Sequence, residues 1–142
     1  MIRRSEDGAV STELAVLTPL LIGFLLLVVF AGRVTQAEGD VANAAQEAAR
    51  AASLAASSQA AEQAAIDSAS ANIAAGTVSC RQLEVNIDTS DFTPGGRVAV
   101  TVSCDAAFSD LAMLAVPGTR TFSSTGVEII DAYRANAEGA TP

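Results

Sequence analysis

Histidine and tryptophan are absent from this chain, and its 142 residues include only two cysteines, five phenylalanines and one tyrosine. Without histidine the usual general base near neutral pH is missing, and two cysteines alone cannot build the common zinc constellations. Neither the G-x-S-x-G nucleophile elbow nor the phosphate-cradling G-x-x-x-x-G-K-[ST] loop occurs. Basic residues are also scarce: eight Lys and Arg stand against 16 Asp and Glu, a net charge of −8 that repels a phosphate backbone and disfavours a nucleic-acid partner. Asp88, Asp91, Asp105 and Asp110 offer oxygen ligands for a hard cation, but their spacing fits no calcium loop and suits solvated turn carboxylates better. The expectation is a protein that is not an enzyme and carries no metal or cofactor.

What is present is apolar and small. Half of the residues are hydrophobic, mostly Ala, Val and Leu, which favours helices over a bulky aromatic core. A chain of this length holds one small folded unit, and part of it is anchor. From Leu14 to Ala31 the sequence LAVLTPLLIGFLLLVVFA is uncharged. As a helix it reaches about 27 Å, close to the hydrocarbon thickness of a bilayer. Pro19 and Gly23 lie inside it, as membrane helices tolerate. Arg3 and Arg4 before the run and Arg33 after it leave only a weak bias toward a cytoplasmic N-terminus.

Between Arg33 and about Ala75 the composition is Ala-rich with few breakers, which predicts that the helix continues beyond the membrane. Val34, Val41, Ala45, Ala48, Ala52 and Ala55 form a stripe that permits close approach of another helix or a sheet. Gly39 is the expected bend and Gly76 the expected stop. Beyond Gly76 the residues become β-branched: Thr77 to Ile87 and Arg97 to Cys104 read as a hairpin across DTSDFTPGG, and Thr119 to Ile130 as a third strand interrupted at Gly126. Phe108 to Val116 reads as a short helical turn with Ser109 as its N-cap, and the tail from Asp131 as loose.

Cys80 and Cys104 are nearly equidistant from Phe92, so the hairpin brings them within reach of a disulfide and implies an oxidising compartment. Register complicates this. Pairing Leu83, Val85 and Ile87 with Val102, Val100 and Val98 puts the aliphatic side chains on one face but offsets the cysteines by one residue. Either a bulge near Cys80 restores the alignment or both faces are partly covered.

Glu13 is the most informative residue, because a carboxylate at the mouth of an apolar helix is costly without a partner. It can simply sit among lipid headgroups, with Ser11 or Thr12 capping the helix. Gly8-Ala9-Val10-Ser11-Thr12-Glu13 followed by the apolar run also resembles the cleavage site of type IV prepilin-like proteins, and ANAAQEAARAA (Ala42 to Ala52) resembles the helix of TadE-like minor pilins, or pseudopilins, of the tight-adherence (Flp) pilus system. The resemblance is specific over about the first 50 residues and architectural beyond them. It implies that a prepilin peptidase cuts between Gly8 and Ala9. Glu13, then fifth in the mature chain, would pair with the N-terminal amine of a neighbouring pilin-like subunit. Short Flp-type major pilins are mostly N-terminal helix, so a sizeable C-terminal domain suits a minor or tip-associated role.

Two rivals stand beside that reading. Val29-Phe30-Ala31 offers a signal-peptidase site at the end of the apolar run, and the chain can also be a single-span surface binding protein with Glu13 incidental. The expected organisation is α+β: leader 1–8, transmembrane helix 9–32 in contact with lipid, Ala-rich extracytoplasmic helix 33–76, small antiparallel β-rich domain of about three strands 77–131, and flexible tail 132–142. The expected location is a single-pass membrane protein with a cytoplasmic N-terminus and an extracytoplasmic C-terminal domain, assembled into or helping to build a surface pilus.

Overall fold

A computed structural model describes residues 7–107 and 119–133, with side chains from residue 13 onward. The order of elements is α1 (Asp7–Ser53), α2 (Ser58–Ala75), β1 (Cys80–Asp91), β2 (Arg97–Ala107) and β3 (Thr119–Ile129). The fold class is α+β, as expected. The chain divides into two units, one ending at Thr35 and the other starting at Gln36. The expected turn over Phe108 to Val116 and most of the expected tail lie outside the described residues.

The first unit is the apolar part of α1: Leu14, Leu20, Leu21, Phe24, Leu25 and Leu27 are exposed, and Phe30 and Val34 are half-buried. Within the helix, Thr18 donates its hydroxyl to the Leu14 carbonyl at 2.7 Å and Thr35 donates to the Ala31 carbonyl at 3.1 Å. Both hydroxyls are thereby satisfied inside the helix, which is the arrangement an apolar solvent requires.

In the second unit α1 changes character. Ala37, Val41, Ala44, Ala45, Ala48, Ala49 and Ala52 are buried. They include Val41, Ala45, Ala48 and Ala52 of the expected stripe and widen it with Ala37, Ala44 and Ala49. α1 is continuous through Gly39, which is exposed and has nothing packed against its α-carbon.

The expected single helix over 33–76 is instead two. Ser53 donates its hydroxyl back to the Arg50 carbonyl at 2.8 Å, and Ser57 accepts from the Ala60 amide as N-cap of α2 at 3.2 Å, so local serine bonds replace the helical ladder between Ser53 and Ser58. The break lets α2 fold back along α1. It buries Ala61, Ala65, Ala69 and Ile73 at four-residue spacing and ends at the expected Gly76.

The three strands form an antiparallel meander in the order β1-β2-β3. Its inner face carries Val98, Val100, Val102, Cys104, Ala106 and Phe122, all buried. Its outer face carries a ladder of hydroxyls, with Thr101 bonded to Thr125 at 2.8 Å, Ser103 to Ser123 at 2.9 Å and Thr121 to the Asp105 carboxylate at 2.5 Å. The hairpin register differs by two residues from the expected one: Leu83, Val85 and Ile87 face Cys104, Val102 and Val100. The reason is the turn. β1 extends to Asp91 and the reversal is made by the residues just after it, with Gly95 at φ 82°. A shift of two preserves which face each side chain occupies, so the aliphatic set still points inward.

β3 passes unbroken through Gly126, which pairs with Val100. A β-carbon at Gly126 would stand 2.3 Å from the Ala45 carbonyl oxygen, so glycine here lets the strand backbone touch α1. Gly126→Ala is expected to destabilise the second unit by about 2 kcal/mol through forced separation of helix and sheet; a shift in the urea midpoint with unchanged slope checks it.

Candidate functional site

The residues that the sequence singles out for assembly all lie at the start of α1. Gly8 and Ala9 belong to its first turn, and Glu13 follows one turn later with its side chain exposed. Immediately beyond Glu13 begins the stretch with a mean hydropathy of 2.8 and no buried residue. It is the one helix among the described residues that is long and apolar enough to cross a membrane. Pro19 sits within it, where its ring removes the amide that would bond the Ala15 carbonyl. The described residues hold no cluster of three or more His, Cys, Asp or Glu placed to hold a metal.

Residues 8–50 match the family of TadE-like proteins. The TadE-like segment coincides with α1, from the residue after its start to three residues before its end, and leaves α2 and the sheet outside the match. It agrees with a TadE-like, pilin-like protein of the tight-adherence system, a family that is not one of enzymes. No curated protein and no solved structure matches the chain. An apolar TadE-like helix followed by a folded C-terminal unit fits a single-pass anchor.

Cys80 and Cys104 are joined by a disulfide with their α-carbons 5.4 Å apart. The bulge considered from the sequence is there: pairing passes from Cys80 opposite Ala106 to Gln82 opposite Asp105, so Arg81 is the extra residue. It turns Cys80 to the same face as the buried Cys104.

Asp40 was not singled out in the sequence, where it reads as one more acidic residue on an exposed helix. Its Oδ2 accepts from the Thr77 amide at 2.8 Å, the Thr77 hydroxyl at 2.9 Å and the Val78 amide at 3.2 Å. One carboxylate thus ties α1 to the junction between α2 and β1. Gly76 makes room for it, since a β-carbon there would lie 2.9 Å from the same oxygen. Partial burial raises the Asp40 pKa, but the bonds from Thr77 and Val78 outweigh it and hold the carboxyl below its ordinary value of 3.8. A Gly followed by Thr at the end of an Ala-rich helix was the available signal, but it does not say which carboxylate folds back to meet it.

A shallow polar recess of about 390 Å³ lies between α1 and β3, lined by Glu38, Val41, Arg120, Thr121, Phe122 and Ser123. The Arg120 guanidinium sits 5.7 Å from the centroid of the Phe122 ring, a cation–π contact between two of its lining residues.

Because the folded pKa of Asp40 is lowered, its contribution to stability is complete above the ordinary carboxylate range and is lost as pH falls through the folded value. Asp40→Asn is expected to cost about 1 kcal/mol at pH 7, with the gap to the parent closing below about pH 4; parallel urea titrations across pH measure it. A gap that stays constant down to acid pH contradicts the assignment.

Proposed function

We propose that this protein is a membrane-anchored, pilin-like subunit of a tight-adherence pilus, processed between Gly8 and Ala9 and held in its assembly by α1. The observation that carries the reading is the coincidence of the TadE-like match at 8–50 with a helix whose apolar half buries nothing within its own chain. In a bilayer or a filament those side chains meet lipid or other subunits. The C-terminal unit, with its two-layer fold, suits a minor or tip-associated component better than a shaft of simple helices.

Orientation follows from chemistry. The Cys80–Cys104 disulfide forms in an oxidising compartment, which favours an extracytoplasmic second unit and a cytoplasmic leader. Cleavage at Gly8 needs only the first turn of α1 to open, where the amides have no partner within the helix. It frees an amine at Ala9, four residues from Glu13. That carboxylate, exposed within its own chain, then pairs with the amine of an adjacent subunit, a charge-assisted bond strengthened by the apolar surroundings. The partners of the reading are a prepilin peptidase, membrane lipid and other pilin-like subunits.

The N-terminal residue of the protein recovered from the membrane fraction tests the processing step. Ala9 is the expected result, Gly32 would mean signal-peptide removal, and Met1 a plain anchor. Glu13→Ala is expected to leave processing and disulfide formation intact while reducing incorporation into the assembled structure at least tenfold; equal incorporation in a mixed expression with the parent chain would refute the pairing.

A further inference from the structure

β1 is an edge strand, and its outer edge is paired with no strand among the described residues. Edges of this kind are normally blunted by prolines, by inward-pointing charges, by bulges or by a covering segment. β1 has irregularities only at its two ends, at Arg81 and between Asp88 and Asp91. The stretch from Gln82 to Asp88 between them contains no proline and sends no charge inward. At its N-terminal end the disulfide staples β1 to β2, which keeps the edge extended without an outer neighbour.

The two sides of that stretch differ sharply. Leu83, Val85 and Ile87 point toward the helix layer but are only half-buried, unlike their cross-strand partners Cys104, Val102 and Val100, which are fully buried. α2 packs over β1, and its Ile66 remains 41% exposed. The aliphatic layer therefore stops short at the β1 edge. On the opposite side Gln82, Glu84, Asn86 and Asp88 are exposed, two of them acidic. A strand added here would complete an apolar layer on one side and meet carboxylates on the other.

We propose that the Gln82–Asp88 edge of β1 receives an extended segment of a partner protein as a fourth strand, in which aliphatic residues alternate with basic ones. A second copy of this chain does not fit. Two copies joined antiparallel through β1 would bring the exposed Glu84 and Asp88 carboxylates of one edge up to those of the other, in a chain whose net charge is already −8. Parallel pairing of the same edge is excluded as a symmetric contact because its hydrogen bonds are staggered. The partner is thus a different chain with basic character, complementary to a protein of net charge −8. The proposal does not depend on the pilus reading.

The test uses the full chain in lipid nanodiscs and a fluorescent probe peptide, Lys-Val-Lys-Val-Lys-Val-Lys, followed by anisotropy and by amide shifts. The expected result is saturable binding with shifts centred on Gln82 to Asp88. Affinity should be at least tenfold weaker for a peptide with proline at its central position, and at least tenfold weaker for the Glu84→Lys/Asp88→Lys variant. Val85→Lys, which places a charge on the inward side of the edge, should also lose binding; retained β2–β3 amide signals in each variant show that the sheet persists. Equal binding of the proline peptide, shifts centred elsewhere, unchanged affinity in the charge-reversed variant, or crosslinking of two copies of this chain through β1 would overturn the proposal.

Discussion

The structure depends on the smallness of one face of α1. Where Ala45 meets Gly126, helix and strand touch backbone to backbone, with no β-carbon between them on the strand side. Around that contact the buried alanines of α1 and the four-residue row of α2 allow a helical layer to lie close on a sheet whose inner face is built on Val98, Val100 and Val102. Larger side chains would thicken this two-layer unit and pull Asp40 away from Thr77 and Val78, whose bonds it makes across a separation of 37 and 38 residues. Alanine gains little from burial per residue, so the unit relies on many such contacts, on the Asp40 tie and on the disulfide, which by loop closure over 24 residues contributes about 3 kcal/mol.

The same helix works in two surroundings. Its N-terminal half exposes leucines, valines and a phenylalanine and folds its hydroxyls back on itself, which suits lipid; its C-terminal half hides alanines and exposes polar residues, which suits a domain core in water. The TadE-like match spans both halves of α1, while α2 and the sheet lie outside it.

Much of this was legible in the sequence because the signals were compositional or periodic. The uncharged run, the alanine stripe, the shift to β-branched residues after Gly76 and the cysteine pair each follow from local chemistry. What was missed depends on contacts distant along the chain. The break after Ser53 hides in an Ala- and Ser-rich stretch whose propensity is the same on both sides, and only a serine cap decides it. Gly126 reads as an interruption until Ala45 is opposite it, and Asp40 reads as solvated until Gly76 and Thr77 return to meet it. The hairpin faces were right although the register was off by two, because parity is set by the alternation of side chains while register is set by the turn.

Near Thr35 α1 passes from exposed apolar residues, suited to lipid, to residues packed in the second unit. Spin labels on single cysteines introduced at Leu21 and at Gln46, in a chain reconstituted in bilayers with its disulfide intact, test it most directly by collision with oxygen and with a water-soluble nickel complex. The label at Leu21 is expected to collide with oxygen and to be shielded from nickel, and the label at Gln46 to behave in the opposite way. Free access of nickel to both positions would contradict it.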